Sequence, residues 1–169
     1  MISIIVVTHQ SEPDIKECLE SVLKLYGTVP FEVIVVDAGS TDNTKGVVQQ
    51  TCSTAKYLQL RNVGFAAAAN FGAAQSSGDV LFFLNPDTVL EDGTLEKIQS
   101  SFLKEDIGVV GALLLDRDGK PERWQAMKFP SLKGAIFTHF NKKQNKPGRG
   151  ISECDWVSGG ALAVRREVF

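Results

Sequence analysis

The chain has 169 residues, 43% of them hydrophobic and 22% charged, with a net charge of −2. That length carries one domain with a substantial core, and the composition excludes disorder, collagen and coiled coil as descriptions of the whole. The near-neutral total speaks against a general nucleic-acid binder, but residues 123–152 hold seven Lys/Arg and no Asp/Glu, which suggests one loop or face that meets an anion.

Residues 4–7 form a continuous apolar run, the pattern of a central parallel strand covered on both faces. Ser11-Glu12-Pro13-Asp14 reads as an S-x-x-D helix cap. Ile15, Cys18, Leu19, Val22 and Tyr26 then recur at helical spacing until Gly27 stops the helix. Residues 33–36 predict a second buried strand that ends at Asp37-Ala38-Gly39-Ser40, with Thr41-Asp42 capping a short helix. Residues 57–60 alternate like a third strand, and 65–75 are Ala-rich and helical. Residues 80–84 are a fourth strand that stops at Asn85-Pro86-Asp87, followed by a helix through Leu95, Ile98, Phe102 and Leu103.

Repeated β-α-β units of this kind predict an α/β fold with a mostly parallel central sheet and helices on both faces. Ligands of such sheets bind beyond the carboxyl ends of the strands. That rule selects Thr8-His9-Gln10, Asp37-Ala38-Gly39-Ser40 and Asn85-Pro86-Asp87, each a polar segment directly after an apolar strand.

The last third changes character. Residues 109–115 and 123–127 flank Asp118-Gly119, the signal of a β-hairpin. Residues 129–151 have weak periodicity and most of the basic cluster, and read as a flexible loop. Residues 156–164 resume as a strand containing Gly159-Gly160, and 165–169 resemble the first turn of a helix without a C-cap, the pattern of a truncated chain. Cys18, Cys52 and Cys154 lack metal or redox spacing and are expected as thiols of a reducing compartment. No apolar run approaches the roughly 18 residues of a membrane span, and no basic segment precedes the first strand as in a signal peptide. A cytoplasmic location is the resulting expectation.

Asp37 is either a loop acid capping the next helix or an acceptor for a pyrimidine N–H or ribose hydroxyl. A dinucleotide fold would place G-x-G-x-x-G after the first strand, where this chain has Thr8-His9-Gln10-Ser11-Glu12. A nucleotide-sugar pyrophosphorylase would want a Gly-rich basic loop there, and the segment is neither. Asp87 is aimed outward by the Pro86 turn. Its carboxylate can hold Mg²⁺ or Mn²⁺, ions that take one or two protein carboxylates plus substrate phosphates; the bland reading is a plain Asn-Pro-Asp turn. His9 adjoins the first selected loop and could touch a ligand, His139 reads as exposed, and Trp124 and Trp156 read as core.

In order, Thr8 after a buried strand, Val35-Val36-Asp37-Ala38-Gly39-Ser40-Thr41-Asp42, Arg61-Asn62-Val63-Gly64-Phe65 with Asn70-Phe71-Gly72, and Phe83-Leu84-Asn85-Pro86-Asp87-Thr88 resemble family 2 glycosyltransferases of the GT-A fold. This group includes bacterial rhamnosyl- and related cell-surface sugar transferases. Trp156-Val157-Ser158-Gly159-Gly160-Ala161 followed by Arg165-Arg166-Glu167-Val168-Phe169 is similar to a later block of that family. The resemblance implies a single GT-A-like, Rossmann-like domain over 1–169, with a nucleotide-binding half at 1–105 and the start of an acceptor half at 106–169. It puts Thr8 and Asp37 on the donor nucleoside, Asp37 on the base, and Gly39, Arg61, Asn62 and Asn85 in the same nucleotide-sugar site. Asp87 becomes the surviving acid of the D-x-D metal motif, whose first acid is here Asn85. Asn70 is expected to bridge backbone groups.

The family's catalytic Glu-Asp pair is expected beyond Phe169, which leaves Asp155 and Trp156 as acceptor-side candidates. The implied activity is an inverting, Mg²⁺- or Mn²⁺-assisted transfer from a uridine- or deoxythymidine-diphosphate sugar to a hydroxyl of a saccharide or lipid-linked saccharide. It would serve cell-surface polysaccharide synthesis, with the basic segment 142–149 meeting a pyrophosphate or the inner membrane face. The competing reading is a non-catalytic nucleotide-sugar binding module or an inactive fragment.

Overall fold

A computed structural model of the chain describes residues 1–27, 29–122, 126–127 and 151–169. At its centre Ile2–Thr8 (β1) is buried at every position, because it has a hydrogen-bonded neighbour on each side and a covered surface on each face. Phe31–Ala38 (β2) and Val80–Leu84 (β4) flank it, both parallel to it. Lys56–Leu60 (β3) pairs parallel with β2. Ala161–Arg165 (β8) runs antiparallel to β4 and carries Val109–Gly111 (β5) on its outer edge. The order β3-β2-β1-β4-β8-β5 reverses at β1, where the chain leaves β3 to return on the other side. The expected α/β class with a mostly parallel sheet is what forms.

Side chains alternate across this sheet. Ile5, Val7, Ile34, Val36, Ala38, Leu81 and Phe83 meet the helix Phe65–Ala74 (α3) through its Ala68, Ala69 and Ala73. Small residues let this helix lie close. A Cβ built on Gly72 would stand 2.7 Å from Ile5 Cγ2 and 2.9 Å from Val36 Cγ2. The other strand positions face the opposite way, on the side of the mutually packed helices Ile15–Leu23 (α1) and Thr44–Thr51 (α2), which bury Ile15, Cys18, Leu19, Val22 and Val48. A fourth helix, Thr94–Ser101 (α4), buries Leu95 and Ile98.

Two arginines, the last residue of β8 and the one after it, fasten this end of the sheet to helix ends. Arg166 donates from Nε to Gly78 O at 2.7 Å, from Nη1 to Ala73 O at 3.1 Å and from Nη2 to Ser76 Oγ at 2.7 Å, satisfying the frayed end of α3. Arg165 donates to Ile107 O at 2.8 Å and, from Nη2, to Phe102 O at 2.6 Å and Lys104 O at 2.8 Å beyond α4. A helix leaves its last carbonyls without intrahelical partners, and a guanidinium fork answers several at once.

Several local expectations are corrected. Ser11 does not cap α1 through its side chain; its carbonyl accepts from Asp14 N and Ile15 N, and Asp14 occupies the cap position. The second helix starts at Thr44 with Asn43 in the cap position; of the expected Thr41-Asp42 pair it is Asp42 that closes this end, its Oδ1 accepting from Thr44 N at 3.1 Å. Tyr26 is exposed and stacks on Phe31 instead of joining the core. Residues 156–164 are not one strand: Trp156–Val157 (β7) and β8 belong to different sheets, separated at Gly159-Gly160. The hairpin shrinks to a Leu115–Pro121 bridge, its turn held by Asp116 Oδ1, which accepts from Asp118 N and Lys120 N. β5 has β8 as its partner, so Ala126–Met127 (β6) pairs with β7 instead. The expected flexible loop, apart from Ile151, lies outside the described residues, as do Trp124, His139 and the basic segment 142–149.

The chain resolves into two compact units, Met1–Ala112 with Gly159–Phe169, and Leu113–Ser158. The first holds the six-stranded sheet and the second the β6–β7 pair.

Gly72→Ala should destabilise the first unit by about 1–3 kcal/mol, the usual penalty for forcing an extra methyl into a filled core between stiff β-branched neighbours. Urea denaturation measures it; an unchanged midpoint would show that α3 is free to shift away from β1 and β2.

Candidate functional site

The parallel register pairs Thr8, the last residue of β1, with Asp37 near the end of β2. β4 pairs Leu84 with Val6, so Asn85-Pro86-Asp87 leaves the sheet past the same edge. All three polar segments selected from the sequence therefore emerge at the carboxyl ends of adjacent strands.

Thr8 and Asp37 are each only 1% exposed. The Thr8 hydroxyl is buried without a hydrogen-bond partner among the described residues, a condition that ordinarily costs about 1–3 kcal/mol. Asp37 is held at both oxygens. Ser40 N donates to Oδ1 at 2.7 Å, and the Tyr57 hydroxyl donates to Oδ2. Burial, and then the adjoining Asp37 carboxylate, hold the Tyr57 phenol well above its ordinary pKa, so it remains a donor.

The loop after β1 clasps the loop after β2. Gln10, at a φ of 53°, takes the left-handed conformation that is uncommon outside glycine. From there its Oε1 accepts from Thr41 N at 2.7 Å and Asp42 N at 3.2 Å, while Nε2 donates to Thr41 Oγ1 at 2.9 Å. Gln10 N donates to Ser40 Oγ at 2.9 Å, Glu12 N to Asp42 Oδ2 at 3.1 Å, and Asn43 N to Glu12 Oε2 at 2.9 Å.

Gly39 joins the third loop to these two. At a φ of 83° it turns the chain where a Cβ would stand 2.8 Å from Asn62 N, so only glycine lets the two backbones approach this closely. Arg61 and Asn62 are exposed beside it. Asn62 Oδ1 accepts from Gly64 N at 3.2 Å, and its amide nitrogen makes no hydrogen bond to a described residue.

The 85–90 segment is supported from α1. The Cys18 thiol donates to Asn85 O at 3.6 Å, and Ser21 Oγ accepts from Leu90 N at 2.9 Å. Asn85 N donates to Gly160 O at 2.9 Å. Burial, with the nearby Asp87 charge second, pushes the Cys18 thiol up to about 12. Asp87 itself is exposed, and its carboxylate forms no ion pair with a described residue. No cluster of three or more His, Cys, Asp or Glu side chains suited to a metal occurs among the described residues. Asp87 still suits a hard cation that draws its other ligands from phosphate and water.

Thr8, Asp37, Gly39, Arg61 and Asn62 thus share one set of clasped loops, with Asn85 and Asp87 on the neighbouring strand end. His9 is exposed in the first loop, and Asn70 is exposed on α3, where it bridges no described backbone groups. Asp155 is exposed and Trp156 half-buried in the second unit. Gln10 and Ser40 fall within the segments selected from the sequence, whereas Tyr57 on β3 was not among them. The alternation of β3, which puts Tyr57 and Gln59 on one face opposite Leu58 and Leu60, was the signal available for Tyr57.

The family model described as Glycosyl transferase family 2 matches residues 3–169. The chain belongs to that family. Glycosyltransferase AglE of Haloferax volcanii is 32% identical over 115 residues, covering 65% of this chain and 38% of that protein. Among solved structures, TarS 1-349 of S. aureus in complex with UDP-GlcNAc superposes with a TM-score of 0.68 at 23% identity, over 99% of this chain and 46% of that one. The mannosyltransferase PcManGT of Pyrobaculum calidifontis, in complex with GDP-Man and Mn²⁺, gives 0.70 at 19% identity, over 99% and 45%. These likenesses establish the GT-A fold of this family 2 chain, which spans less than half the length of each of these three proteins. No helix among the described residues is long and apolar enough to cross a membrane.

Buried thiols are poorly reactive. Iodoacetamide at pH 8 should therefore modify half-buried Cys154 and spare Cys18 in the folded protein, as read by peptide mass spectrometry. Rapid labelling of Cys18 would contradict its packing beneath Asn85.

Proposed function

We propose that this chain binds the donor of a sugar transfer, a uridine- or deoxythymidine-diphosphate sugar. The whole protein then moves the sugar, with inversion, to a hydroxyl of a saccharide or lipid-linked saccharide in cell-surface polysaccharide synthesis. The observation that carries this reading is the buried Thr8 hydroxyl, without a partner among the described residues, beside Asp37 at the carboxyl edge of β1 and β2. A polar group of the nucleoside supplies what that hydroxyl lacks, and the ordered loops around it are preorganised to receive one.

In this reading Asp37 accepts from the base, and Arg61 and the side-chain amide of Asn62 stand by the nucleotide. Asn85 donates to ribose or phosphate, and Asp87 holds the cation. A bound Mg²⁺ or Mn²⁺ offsets the charge that develops on the departing diphosphate. The complexes of the structural neighbours with UDP-GlcNAc, and with GDP-Man and Mn²⁺, support a nucleotide sugar and a divalent cation. The acceptor side is assigned to Asp155 and Trp156 on the resemblance alone, and no base is assigned among residues 1–169. In this reading the basic segment 142–149 meets an anionic lipid-linked acceptor at the inner membrane face, and the protein works on the cytoplasmic side.

Calorimetry tests the donor half directly. UDP should bind more tightly with Mn²⁺ than with a chelator, and Asp87→Ala should abolish that difference without lowering the melting temperature, since an exposed loop acid packs against little. Metal-independent binding would remove Asp87 from the role given to it.

A further inference from the structure

An aspartate χ2 torsion is broad and roughly two-fold, so a carboxylate at a strand end has no fixed orientation by itself. Asp37 is fixed by two donors on different oxygens, Ser40 N–H on Oδ1 and the Tyr57 hydroxyl on Oδ2. The Ser40 contact is local, three residues along the same turn. The Tyr57 contact comes from another strand. Tyr57 pairs in register with Val35, two residues before Asp37 on the same face of β2, and its ring reaches forward along the sheet to the carboxylate. The Lys45 ammonium lies over the ring, 5.7 Å from its centroid.

A carboxylate offers about four acceptor sites. With one taken on each oxygen, the plane of the group is set and acceptor capacity remains on each. A uracil or thymine ring presents a single ring N–H between two carbonyls, which needs one well-aimed acceptor. At 1% exposure Asp37 has almost no water to mask a missing or misaligned donor. Sites of this kind reject an analogue that lacks the hydrogen-bonding group far more strongly than open ones.

We propose that Tyr57 is a positioning residue for nucleobase recognition: its hydroxyl, holding Asp37 Oδ2, aims the remaining acceptor capacity of Asp37 at the ring N–H of a pyrimidine. This rests on the assignment of Asp37 to the donor base made above. The predicted consequence is specific to the base edge. Loss of the Tyr57 hydroxyl weakens only those ligands that carry the ring N–H.

The test compares UDP with its N3-methyl analogue, which keeps every other group and removes that N–H. Affinities are measured by calorimetry for the unaltered chain, Tyr57→Phe, Asp37→Asn and the double variant, with melting curves for each. The unaltered chain should prefer UDP by about tenfold or more, the range of a charge-assisted hydrogen bond. Tyr57→Phe should lose most of that preference by weakening UDP while leaving the methylated ligand unchanged. The double variant should bind UDP no more weakly than Asp37→Asn alone, because both changes remove one interaction. A preference that survives in Tyr57→Phe, equal weakening of both ligands, or additive losses in the double variant would overturn the proposal. If the unaltered chain does not distinguish the ligands, Asp37 does not contact the base, and the assignment beneath the proposal fails instead.

Discussion

The parallel pairing of β1 with β2 and β4 is the constraint on which the rest depends. A strand buried at all seven positions has no freedom to slip, since a shift of one residue would turn each side chain to the opposite face. That fixed register brings Thr8 level with Asp37 and sends Asn85-Pro86-Asp87 past the same edge. The apolar interior thus specifies where polar chemistry emerges. The site's loops then lock one another through Gln10, Gly39 and Asp42 rather than through a core of their own.

Two carboxylates at this edge have opposite environments. Asp37 is sealed and hydrogen-bonded at both oxygens, so it can act as a fixed acceptor that measures the shape of a ligand. Asp87 is open to solvent on a turn supported by Cys18 and Ser21, and it can exchange water for a cation with little rearrangement. The same residue type therefore suits recognition at one strand end and ion binding at the next.

The four parallel strands and the three polar segments were legible because each strand passes abruptly from an apolar run to polar residues, as Val36 does to Asp37 and Leu84 to Asn85. What stayed hidden were pairings between distant segments. Nothing local to Tyr57 says that it reaches Asp37, and nothing near Gln10 says that it adopts a left-handed backbone to grip Thr41. The hairpin at Asp118-Gly119 was over-read for the same reason. Turn residues announce a turn, but β8, fifty residues on, decides which strand β5 joins. Arg165-Arg166 carried part of the family resemblance, yet both side chains spend their donors on the ends of α3 and α4. Those arginines hold the frame around the site.

The central claim is that a nucleoside diphosphate binds where the loops after β1, β2 and β3 are clasped. Amide hydrogen exchange with and without UDP and Mn²⁺ tests it most directly, because ligand-ordered loops gain protection locally. The account predicts slowed exchange in residues 9–12, 39–42 and 61–64, with little change in α1 and α4. Unchanged exchange in those three loops at saturating ligand, or protection confined to residues 113–122 and 151–158, would contradict it.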